Sequence, residues 1–427
     1  MRTDQLDVAL PAGTDLREYA RVLARAREAA LAGRRPGTAP RRVIEESWWR
    51  ARDHGVDPDR GAAAPSLGPD EVEHRRATCG LTESALATLR RGLVGIADKA
   101  AHIMVITDAD GRVLWREGSR TVRRQADRLG FAEGATWAES VVGTNAIGTA
   151  LVARRPLQVY STEHYVQTHH PWTCSAAPIR DVRTGWVLGA VDVSGPAATA
   201  HPSTLALVDA VARLAESQQR QEHLAELDRL RGIAAPLLAR IDGRALVTDP
   251  HGWVAASVGL SPVERVLLPD EPGDHQVWLP TLGLCAVEPL PGGFLVRPAE
   301  GESPSPVRAV LDVRHPTRPR LTLHQDSGVW THSLSPRHAE ILFVLARHPA
   351  GRTAAELAAD LFGDPSRTIT VRAEMSRLRK QIGRVIDHRP YRFADDVEVT
   401  VEQGAEPSAV LPHSSAPALA RLRRPDG

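Results

Sequence analysis

Side chains that can bind metals or small ligands are concentrated in the stretch from residue 137 to residue 174. His164, His169, His170 and Cys174 supply imidazole and thiol groups, which are good ligands for zinc or iron. Their spacing matches no closed metal site, however, and one strand cannot direct all four side chains inward. We therefore expect no metal, and we interpret the histidines as loop residues that line an apolar pocket.

The same stretch contains the groups that a pocket for a small organic molecule requires. Aromatic side chains supply apolar wall, whereas amide and imidazole groups fix the orientation of a ligand. Loops beside a rigid sheet are a common place for such residues. The sequence does not identify the effector, and Cys174 on a buried strand is better explained as a small hydrophobe than as a redox switch. The candidate ligand-binding residues are Trp137, Asn145, His164, His170, Trp172 and Cys174.

The second group of candidate functional residues lies in the basic segment from Thr370 to Phe393. Seven basic minus two acidic residues give +5 over these 24 residues, against +1 for the whole chain. A helix with an apolar inner stripe and a basic outer face fits the major groove of DNA. The alternative is a solvated arginine face on an ordinary helical core. The inner stripe is Val371, Met375, Leu378 and Ile382, at helical spacing. The candidate DNA-binding residues are Thr370, Arg372, Ser376, Arg377, Arg379, Lys380, Arg389 and Arg392.

Three helices and a hairpin must position this basic segment. Ser335 and Thr353 are typical caps of two helices, and the helix from Thr368 is the third. Val385-Ile386 and Tyr391-Arg392-Phe393 then predict a short β-wing. This order resembles the winged helix of response regulators, whose third helix carries a similar Val-x-x-x-x-Ser-Arg-Leu-Arg-Lys phrase before a Tyr-Arg-Phe wing. The resemblance implies a domain over 320–400 that binds double-stranded DNA, and we expect a flexible tail over 401–427.

Strands and turns must position the histidine-rich stretch. Ile103–Thr107 and Arg112–Trp115 flank the turn Asp108-Ala-Asp-Gly111 and predict a hairpin. Further strands are expected at Leu157–Tyr160, Thr173–Arg180 and Trp186–Val193. The fold class is therefore α+β, with one antiparallel sheet flanked by helices, a small β-rich middle region and the C-terminal winged helix.

Several motifs in this part of the chain resemble the GAF domains of acetoin-operon-type activators. They are Trp137 to Leu151 (WAESVVGTNAIGTAL), Glu163-His164, His169-His-Pro-Trp172 and Cys174 to Ile179, preceded by Ser47-Trp-Trp-Arg50 and Gly55-Val-Asp-Pro58. The resemblance implies a helical lead-in over 1–80 and a sensor of a small molecule over 81–220, which dimerises through flanking helices. Those activators also carry an ATPase, but this sequence has no Gly-x-x-x-x-Gly-Lys-Ser/Thr phosphate loop, so ATP-driven activation is not expected.

The middle of the chain, 221–306, is predicted to be a helical linker and a small β-rich region. Ala245 to Val254 repeats the Thr-Asp-x-x-Gly phrase of the first hairpin, which indicates either a second, PAS-like sensor fold or only a similar turn. A linker is expected at Glu300–Val307 and another at Gly61–Asp70.

A long helix over Pro202–Arg231 is the expected dimer seam. Its early turns are expected to bury Leu205, Val208 and Leu214, and its later turns to present Leu224 and Leu227 to a second copy. The alternative is that the helix packs only on its own sheet.

The bulk composition limits the class of protein. The chain has 427 residues and three cysteines, so it has room for several domains and no disulfide framework. Because it lacks a signal peptide pattern and a long apolar run, we expect no membrane contact and a cytoplasmic location. No nucleophile elbow or zinc-protease motif is present, and Asp108 and Asp110 lie in a turn, so an enzyme is not expected.

The favoured interpretation is a homodimeric, ligand-responsive transcriptional regulator, with RNA polymerase as a further candidate partner. The alternative is a signalling adaptor, or a redox or metal sensor, that acts through protein contacts without DNA. The sequence leaves open the operator and whether transcription is activated or repressed.

Overall fold

The structure is a computed structural model of the 427-residue chain. It describes residues 6–10, 15–32, 40–59, 66–99, 101–269, 276–299, 308–314, 319–325, 328–404, 410–412, 414 and 416–423. The chain divides into two compact units, Met1–Glu222 and His223–Gly427. Helices and mainly antiparallel sheets make up both units, which confirms the α+β class. Within the described residues, no helix is both long and apolar enough to cross a membrane.

The first unit contains a five-stranded sheet with helices on both faces. Its helices are α1 Leu16–Leu31, α2 Arg42–Asp53, α3 Pro69–Thr78, α4 Glu83–Lys99, α5 Arg120–Asp127, α6 Glu139–Val142, α7 Ala146–Ala153 and the beginning of α8 Pro202–Leu238. Its strands are β1 Ile103–Thr107, β2 Val113–Gly118, β3 Leu157–Tyr160, β4 Trp172–Arg180 and β5 Val187–Pro196. The strand order is β2-β1-β5-β4-β3, and each pair is antiparallel.

Both faces of this first sheet are covered, and β1 is therefore buried along its whole length, with four apolar residues in succession before Thr107. Met104 and Ile106 face a core that they share with α4 and α8. Ile103 and Val105 face the opposite side, which we call the inner core. The inner core also contains apolar residues of α2 and α7 and of the loops that carry the histidines.

The described residues of the second unit form a five-stranded sheet, a four-stranded sheet, four further helices and a two-stranded hairpin. Its strands are β6 Ala245–Thr248, β7 Val254–Val258, β8 Gln276–Leu279, β9 Gly283–Leu290, β10 Gly293–Pro298, β11 Arg308–Asp312, β12 Arg320–Gln325, β13 Gly328–Ser333, β14 Ile386–His388, β15 Tyr391–Phe393 and β16 Glu398–Glu402. Its helices, after the end of α8, are α9 Pro336–Ala346, α10 Ala354–Phe362, α11 Thr368–Ile382 and α12 Pro417–Arg423. The strand orders are β7-β6-β10-β9-β8, β13-β12-β11-β16 and β14-β15, and only β11 and β16 are described as a parallel pair.

The repeated Thr-Asp-x-x-Gly phrase forms the same turn in both five-stranded sheets. Oδ1 of Asp108 accepts hydrogen bonds from the backbone amides two and four residues later, at 3.0 and 2.9 Å. Oδ1 of Asp249 accepts the equivalent pair, at 2.9 and 2.8 Å. At the ends of the two hairpins, these aspartate side chains thus take the place of backbone acceptors of hydrogen bonds. The two sheets also have the same strand order, so they share a topology as well as a turn.

Four parts of the chain differ from the sequence-based expectations. The helix α8 extends to Leu238, because its last turns pack on β6 and β10. Part of the expected linker Gly61–Asp70 belongs to α3, which begins at Pro69, while residues 60–65 and the expected linker Glu300–Val307 lie outside the described residues. The expectation of a flexible tail is wrong for the described part of 401–427. The strand β16 extends to Glu402, and the side chains of both Leu411 and Leu419 are buried in the core of the second unit.

The fourth difference concerns the helix expected to form the dimer seam. Leu214, expected to be buried, is 59% exposed, whereas Leu227, expected to be presented, is 7% exposed. Leu227 and Leu230 pack together against the five-stranded sheet of the second unit. Leu224, also expected to face outward, is 53% exposed.

Candidate functional site

The histidine-rich loops between β3 and β4 place three imidazoles and an indole in one group. The ring of His169 lies 5.0 Å from the ring of Trp137 and 6.0 Å from that of His164, measured between centroids. Nδ1 of His164 lies 2.9 Å from the carbonyl oxygen of Ser161. Within the described residues, Nε2 of His164, Nδ1 of His169 and Nε2 of His170 are buried without a hydrogen-bond partner. Such atoms are costly unless a ligand or water satisfies them.

These three imidazoles are held in the uncharged form. Burial, together with a smaller contribution from the neighbouring His169, lowers the pKa of His164 to about 3. Burial lowers the pKa of His169 and of His170 to about 4, with smaller contributions from His170 on His169 and from Arg27 on His170. At neutral pH each imidazole therefore offers one donor and one acceptor nitrogen and no charge.

Two lead-in helices clamp the loop that carries His164. Arg41 donates hydrogen bonds to both carboxylate oxygens of Glu163, at 2.9 and 2.7 Å, and also pairs with Asp7 at 2.5 Å. The indole N–H of Trp48 donates to the carbonyl oxygen of Glu163 at 2.8 Å. Arg27 of α1 donates to the carbonyl oxygen of Tyr165. The position of His164 thus depends on groups from far earlier in the sequence.

A buried carboxyl group on β5 faces the same inner core. Asp192 is opposite Val105 and Ala176, which both belong to that core. Its Oδ2 accepts a hydrogen bond from Ser194 at 2.5 Å, but its Oδ1 has no partner among the described residues. Burial raises the pKa of Asp192 to about 7, although the hydrogen bond from Ser194 opposes this shift. Cys174 lies beside this pair, and burial together with the charge of Asp192 raises the pKa of its thiol.

Asp192 and Ser194 are not among the candidate residues that the sequence motifs indicate. The signal that could identify them is the pattern Val-Asp-Val-Ser in an otherwise apolar strand, because a buried strand rarely carries an unpaired carboxylate. His169 belongs to the loop motif but is not one of the candidate ligand-binding residues.

The other predicted ligand-binding residues have different surroundings. Trp172 and Cys174 lie at the start of β4, and their side chains are 8% exposed within the inner core. Asn145 caps α7, since its Oδ1 accepts from Gly148 at 2.9 Å. Its amide nitrogen donates to the carbonyl oxygens of Trp137 and Gly143, at 3.0 and 2.9 Å. Because the amide group is fully engaged, the geometry favours a structural role for Asn145 over contact with a ligand.

A small cleft that is open to solvent lies outside this group. Its lining residues are Leu31, Trp48, Trp49, Arg52 and Tyr165. The guanidinium of Arg52 lies 4.3 Å from the centre of the Trp49 ring. None of the predicted site residues is part of it. Within the described residues, no group of three or more His, Cys, Asp or Glu side chains is placed to hold a metal ion.

The basic segment of the second unit is presented mainly by α11. Ser335 caps α9, and Thr353 and Glu356 form a capping box at α10, so both preceding helices have defined starts. The buried residues of α11 are Val371, Met375, Leu378 and Ile382. The exposed residues of α11 are Ile369, Thr370, Arg372, Ala373, Ser376, Arg377, Arg379 and Lys380. The hairpin β14–β15 follows and carries Arg389 in its turn.

The arginines of this surface fall into two groups. Arg377 forms an ion pair with Glu374 at 2.7 Å, and Arg392 pairs with Asp395 at 2.7 Å and with Asp387 at 3.4 Å. In contrast, Arg372 and Arg379 have no acidic partner in the part of the chain that the structure describes, and the same is true of Lys380. These unpaired cations are the ones most available to an anionic partner.

Comparison with known proteins relates both halves of the chain to other sequences. The family described as MimR, N-terminal domain, matches residues 22–220. The uncharacterized 47.3 kDa protein in the thcA 5' region of Rhodococcus erythropolis is 30% identical over 438 residues, which cover 97% of this chain and 82% of that protein.

Two activators match about half of the chain. The acetoin dehydrogenase operon transcriptional activator AcoR of Bacillus subtilis is 31% identical over 55% of this chain and 38% of its own length. The propane 2-monooxygenase operon transcriptional activator MimR of Mycolicibacterium smegmatis is 34% identical over 42% of this chain and 29% of its own length. The chain thus spans less than half of either activator. Both are named as transcriptional activators, which supports a role for this chain in transcription regulation and the expectation that it is not an enzyme.

The inner core, its buried histidines and the clamping residues Arg27, Arg41 and Trp48 all lie within the segment that the MimR N-terminal domain matches. The match to the Rhodococcus protein continues through the second unit, including α11 and its hairpin. Residues 22–220 are similar to the MimR N-terminal domain, and the chain belongs to the family of the Rhodococcus erythropolis 47.3 kDa protein.

Proposed function

We propose that the chain is a ligand-responsive transcriptional regulator, in which α11 binds double-stranded DNA and the inner core of the first unit binds a small uncharged effector. The observation that carries the proposal is the outer face of α11. That face is basic and exposed, while the opposite face is fully buried. The proposed regulation accords with the activators that share the N-terminal domain.

The order of elements around α11 supports DNA binding. Two capped helices precede it and a two-stranded hairpin follows it, which is the arrangement expected of a winged helix. In helix-turn-helix proteins the recognition helix lies in the major groove with its N-terminal residues at the base edges. Arg372, Arg379 and Lys380 would then contact bases or phosphates directly. Arg377 and Arg392 would first have to exchange their carboxylate partners for phosphates.

A binding experiment on the full chain tests this half of the proposal. Affinity for DNA selected from a random pool is measured as a function of salt for the wild type and for Arg372→Ala/Arg379→Ala. The double variant should bind at least tenfold more weakly, and the slope of log K against log salt should become less negative by about 1–2, because each lost phosphate contact removes about one counterion. Arg240→Ala, an exposed arginine after α8, is the matched control and should bind as the wild type does.

The outcome separates the proposal from its alternative. A folded wild-type chain without salt-dependent DNA affinity would contradict DNA binding and favour a signalling adaptor. A double variant that keeps the wild-type affinity and salt slope would contradict the orientation of α11.

The chemistry of the inner core supports an uncharged effector with hydroxyl or carbonyl groups. The unpartnered atoms of His164, His169 and Asp192 can donate or accept hydrogen bonds, yet burial favours their neutral forms. The Bacillus relative is named for an operon that handles acetoin, which is a small uncharged hydroxyketone. An effector of this class would satisfy buried polar atoms without bringing a charge into the core.

Calorimetric titration of the full chain tests the effector. Acetoin is the probe, and lactate is a charged comparison of similar size. Acetoin should bind while lactate does not, and Asp192→Leu, which removes the polar atoms, should weaken acetoin binding at least tenfold. Equal binding of lactate, or binding unaffected by Asp192→Leu, would contradict the proposed class and place.

A further inference from the structure

An isoleucine on the first turn of α11 is almost fully exposed to water. Ile369 is 80% exposed, which is the largest value among the exposed large hydrophobic residues of the described chain. The other large apolar side chains of this helix are buried in the core. Ile369 therefore contributes nothing to the packing of its own domain, and it is a candidate for contact with a partner.

The position of Ile369 is the centre of the outer face. Ile369, Ala373, Ser376 and Lys380 recur at i, i+4, i+7 and i+11, which is the spacing of the buried stripe on the opposite side. At 100° per residue, Arg372 and Arg379 flank this stripe on one side, and Thr370 and Arg377 flank it on the other. Cations on the flanks of a helix are placed to reach phosphates, while the central stripe points to the floor of the groove.

Only one base offers an apolar group in the major groove. Thymine presents its 5-methyl group, whereas the other base edges present hydrogen-bond donors and acceptors. Isoleucine and alanine have no side-chain hydrogen-bonding groups, so at the base edges they can favour only the methyl group. A basic or amide side chain at this central position would instead select guanine or adenine.

We propose that Ile369 is a specificity-determining residue that packs, with Ala373, against the 5-methyl group of a thymine in the DNA major groove. This inference rests on the proposed function, because it requires α11 to lie in that groove. It assigns the central stripe a different task from the flanking arginines, which supply affinity. The preferred DNA site therefore contains a thymine opposite the N-terminal turn of α11.

Replacing single thymines by deoxyuridine tests the inference, because this removes only the methyl group. A site is first selected from random DNA with the full chain, and each thymine is then replaced in turn. At one position, or at two adjacent positions, deoxyuridine should weaken wild-type binding about 3- to 5-fold, as expected for one buried methyl group. Ile369→Ala should bind the thymine site correspondingly more weakly and lose this sensitivity, while Ile369→Val should keep most of it.

A matched control separates the contact from a general effect of removing apolar surface. Val329→Ala changes a side chain that is 57% exposed on β13, and it should respond to deoxyuridine as the wild type does. Because Ile369 is exposed, its variants should keep the wild-type melting temperature.

The failures of the two proposals are distinguishable. Indifference of the wild type to deoxyuridine at every thymine, with DNA binding intact, overturns this inference alone, and so does full sensitivity in Ile369→Ala. A chain that selects no DNA at all overturns both proposals and indicates that Ile369 contacts a protein.

Discussion

The carboxylate of Glu374 holds the guanidinium of Arg377 on the outer face of α11, with 2.7 Å between Oε1 and Nη1. The other carboxylate oxygen of Glu374 lies 3.7 Å from Nε2 of His338 on α9. Glu374 therefore lies between a buried imidazole and an exposed arginine. If α11 enters the major groove, this carboxylate both repels phosphate and competes for Arg377.

Glu374→Gln should strengthen DNA binding by releasing Arg377. We expect a severalfold increase in affinity at low salt, and a salt slope that is more negative by up to about one unit. The measurement is a fluorescence anisotropy titration at several salt concentrations. Glu398→Gln, at an exposed carboxyl on β16, is the control for a general change of charge. Unchanged or weaker binding by Glu374→Gln would show that Arg377 does not contact DNA.

The Asp192 carboxyl should make the protein less stable as the pH rises. Burial raises its folded pKa to about 7, so between its ordinary value of 3.8 and 7 the folded state keeps a proton that the unfolded state releases. Its contribution to the free energy of unfolding therefore falls across that window. Asp192→Asn removes the ionisation and should stabilise the chain at pH 8 by about 1–3 kcal/mol, with less effect at pH 5.

The control variant should change the stability at pH 8 in the opposite direction. Asp181 is also buried, but hydrogen bonds from Arg183 outweigh burial and lower its pKa. Asp181→Asn should therefore destabilise the chain at pH 8. Chemical denaturation at both pH values decides the matter, and a less stable Asp192→Asn at pH 8 would show that the ionised carboxyl is satisfied in the folded protein.

The buried histidines should make the first unit sensitive to acid. Their folded pKa values, about 3 for His164 and about 4 for His169, lie below the ordinary value of 6.5. Between these limits the unfolded state binds protons that the folded state does not, so stability is lost as the pH falls below about 6.5. Each histidine contributes up to about 1.4 kcal/mol per pH unit in this window. His164→Phe should flatten the loss between pH 6 and 4, which urea titrations at each pH measure. A slope equal to that of the wild type would contradict the prediction.

Local patterns predicted the two Thr-Asp-x-x-Gly hairpins, the other strands of the first sheet and the helices around α11, but not the four-stranded sheet of the second unit. The Thr-Asp-x-x-Gly phrases predict the hairpins because the Asp side chain and the glycine act within five residues. The shared topology has a longer-range trace as well. A Cβ atom on Gly189 would lie 1.8 Å from the carbonyl oxygen of Thr107, and one on Gly293 would lie 1.9 Å from that of Thr248. No short window of sequence reveals that these two glycines have the same task.

The remaining site features depend on contacts between distant residues. The sequence marks Asp192 as unusual in an apolar strand, but only the sheet shows that it lies opposite Val105 with its Oδ1 unpartnered among the described residues. The sequence predicts that Arg392 is an exposed arginine of the wing, but in the structure it forms ion pairs with Asp395 and Asp387. The burial of Leu227 depends on a sheet that follows it in the chain, so helical periodicity alone could not separate it from Leu224.

The ion pair between Arg41 and Glu163 should be required for the stability of the first unit. Glu163 has no exposed side chain, and Arg41 satisfies both of its carboxylate oxygens. Removing one partner of such a pair leaves an uncompensated buried charge, which costs about 3–5 kcal/mol. Arg41→Ala should therefore lower the free energy of unfolding by this amount, measured by urea denaturation. Arg42→Ala removes the neighbouring exposed arginine, which pairs with Glu46, and should change the free energy of unfolding by less than about 1 kcal/mol. Equal effects of the two substitutions would contradict the clamp.

The exposed leucines of α8 should form the contact between two copies of the chain. Leu214 and Leu224 are 59% and 53% exposed, although both are large apolar residues on one long helix. A second copy of α8 would cover them and would bring two DNA-binding surfaces together, which raises affinity for a site with two halves.

Leu214→Glu/Leu224→Glu should therefore weaken self-association and DNA binding in parallel, while the melting temperature stays close to that of the wild type. Leu227→Glu is the contrasting variant, because Leu227 is buried against its own sheet and a charge there should unfold the second unit. Light scattering combined with thermal melting distinguishes these effects. A dimer that persists in the double variant would place the contact elsewhere, and a monomeric wild type would remove this route to cooperative DNA binding altogether.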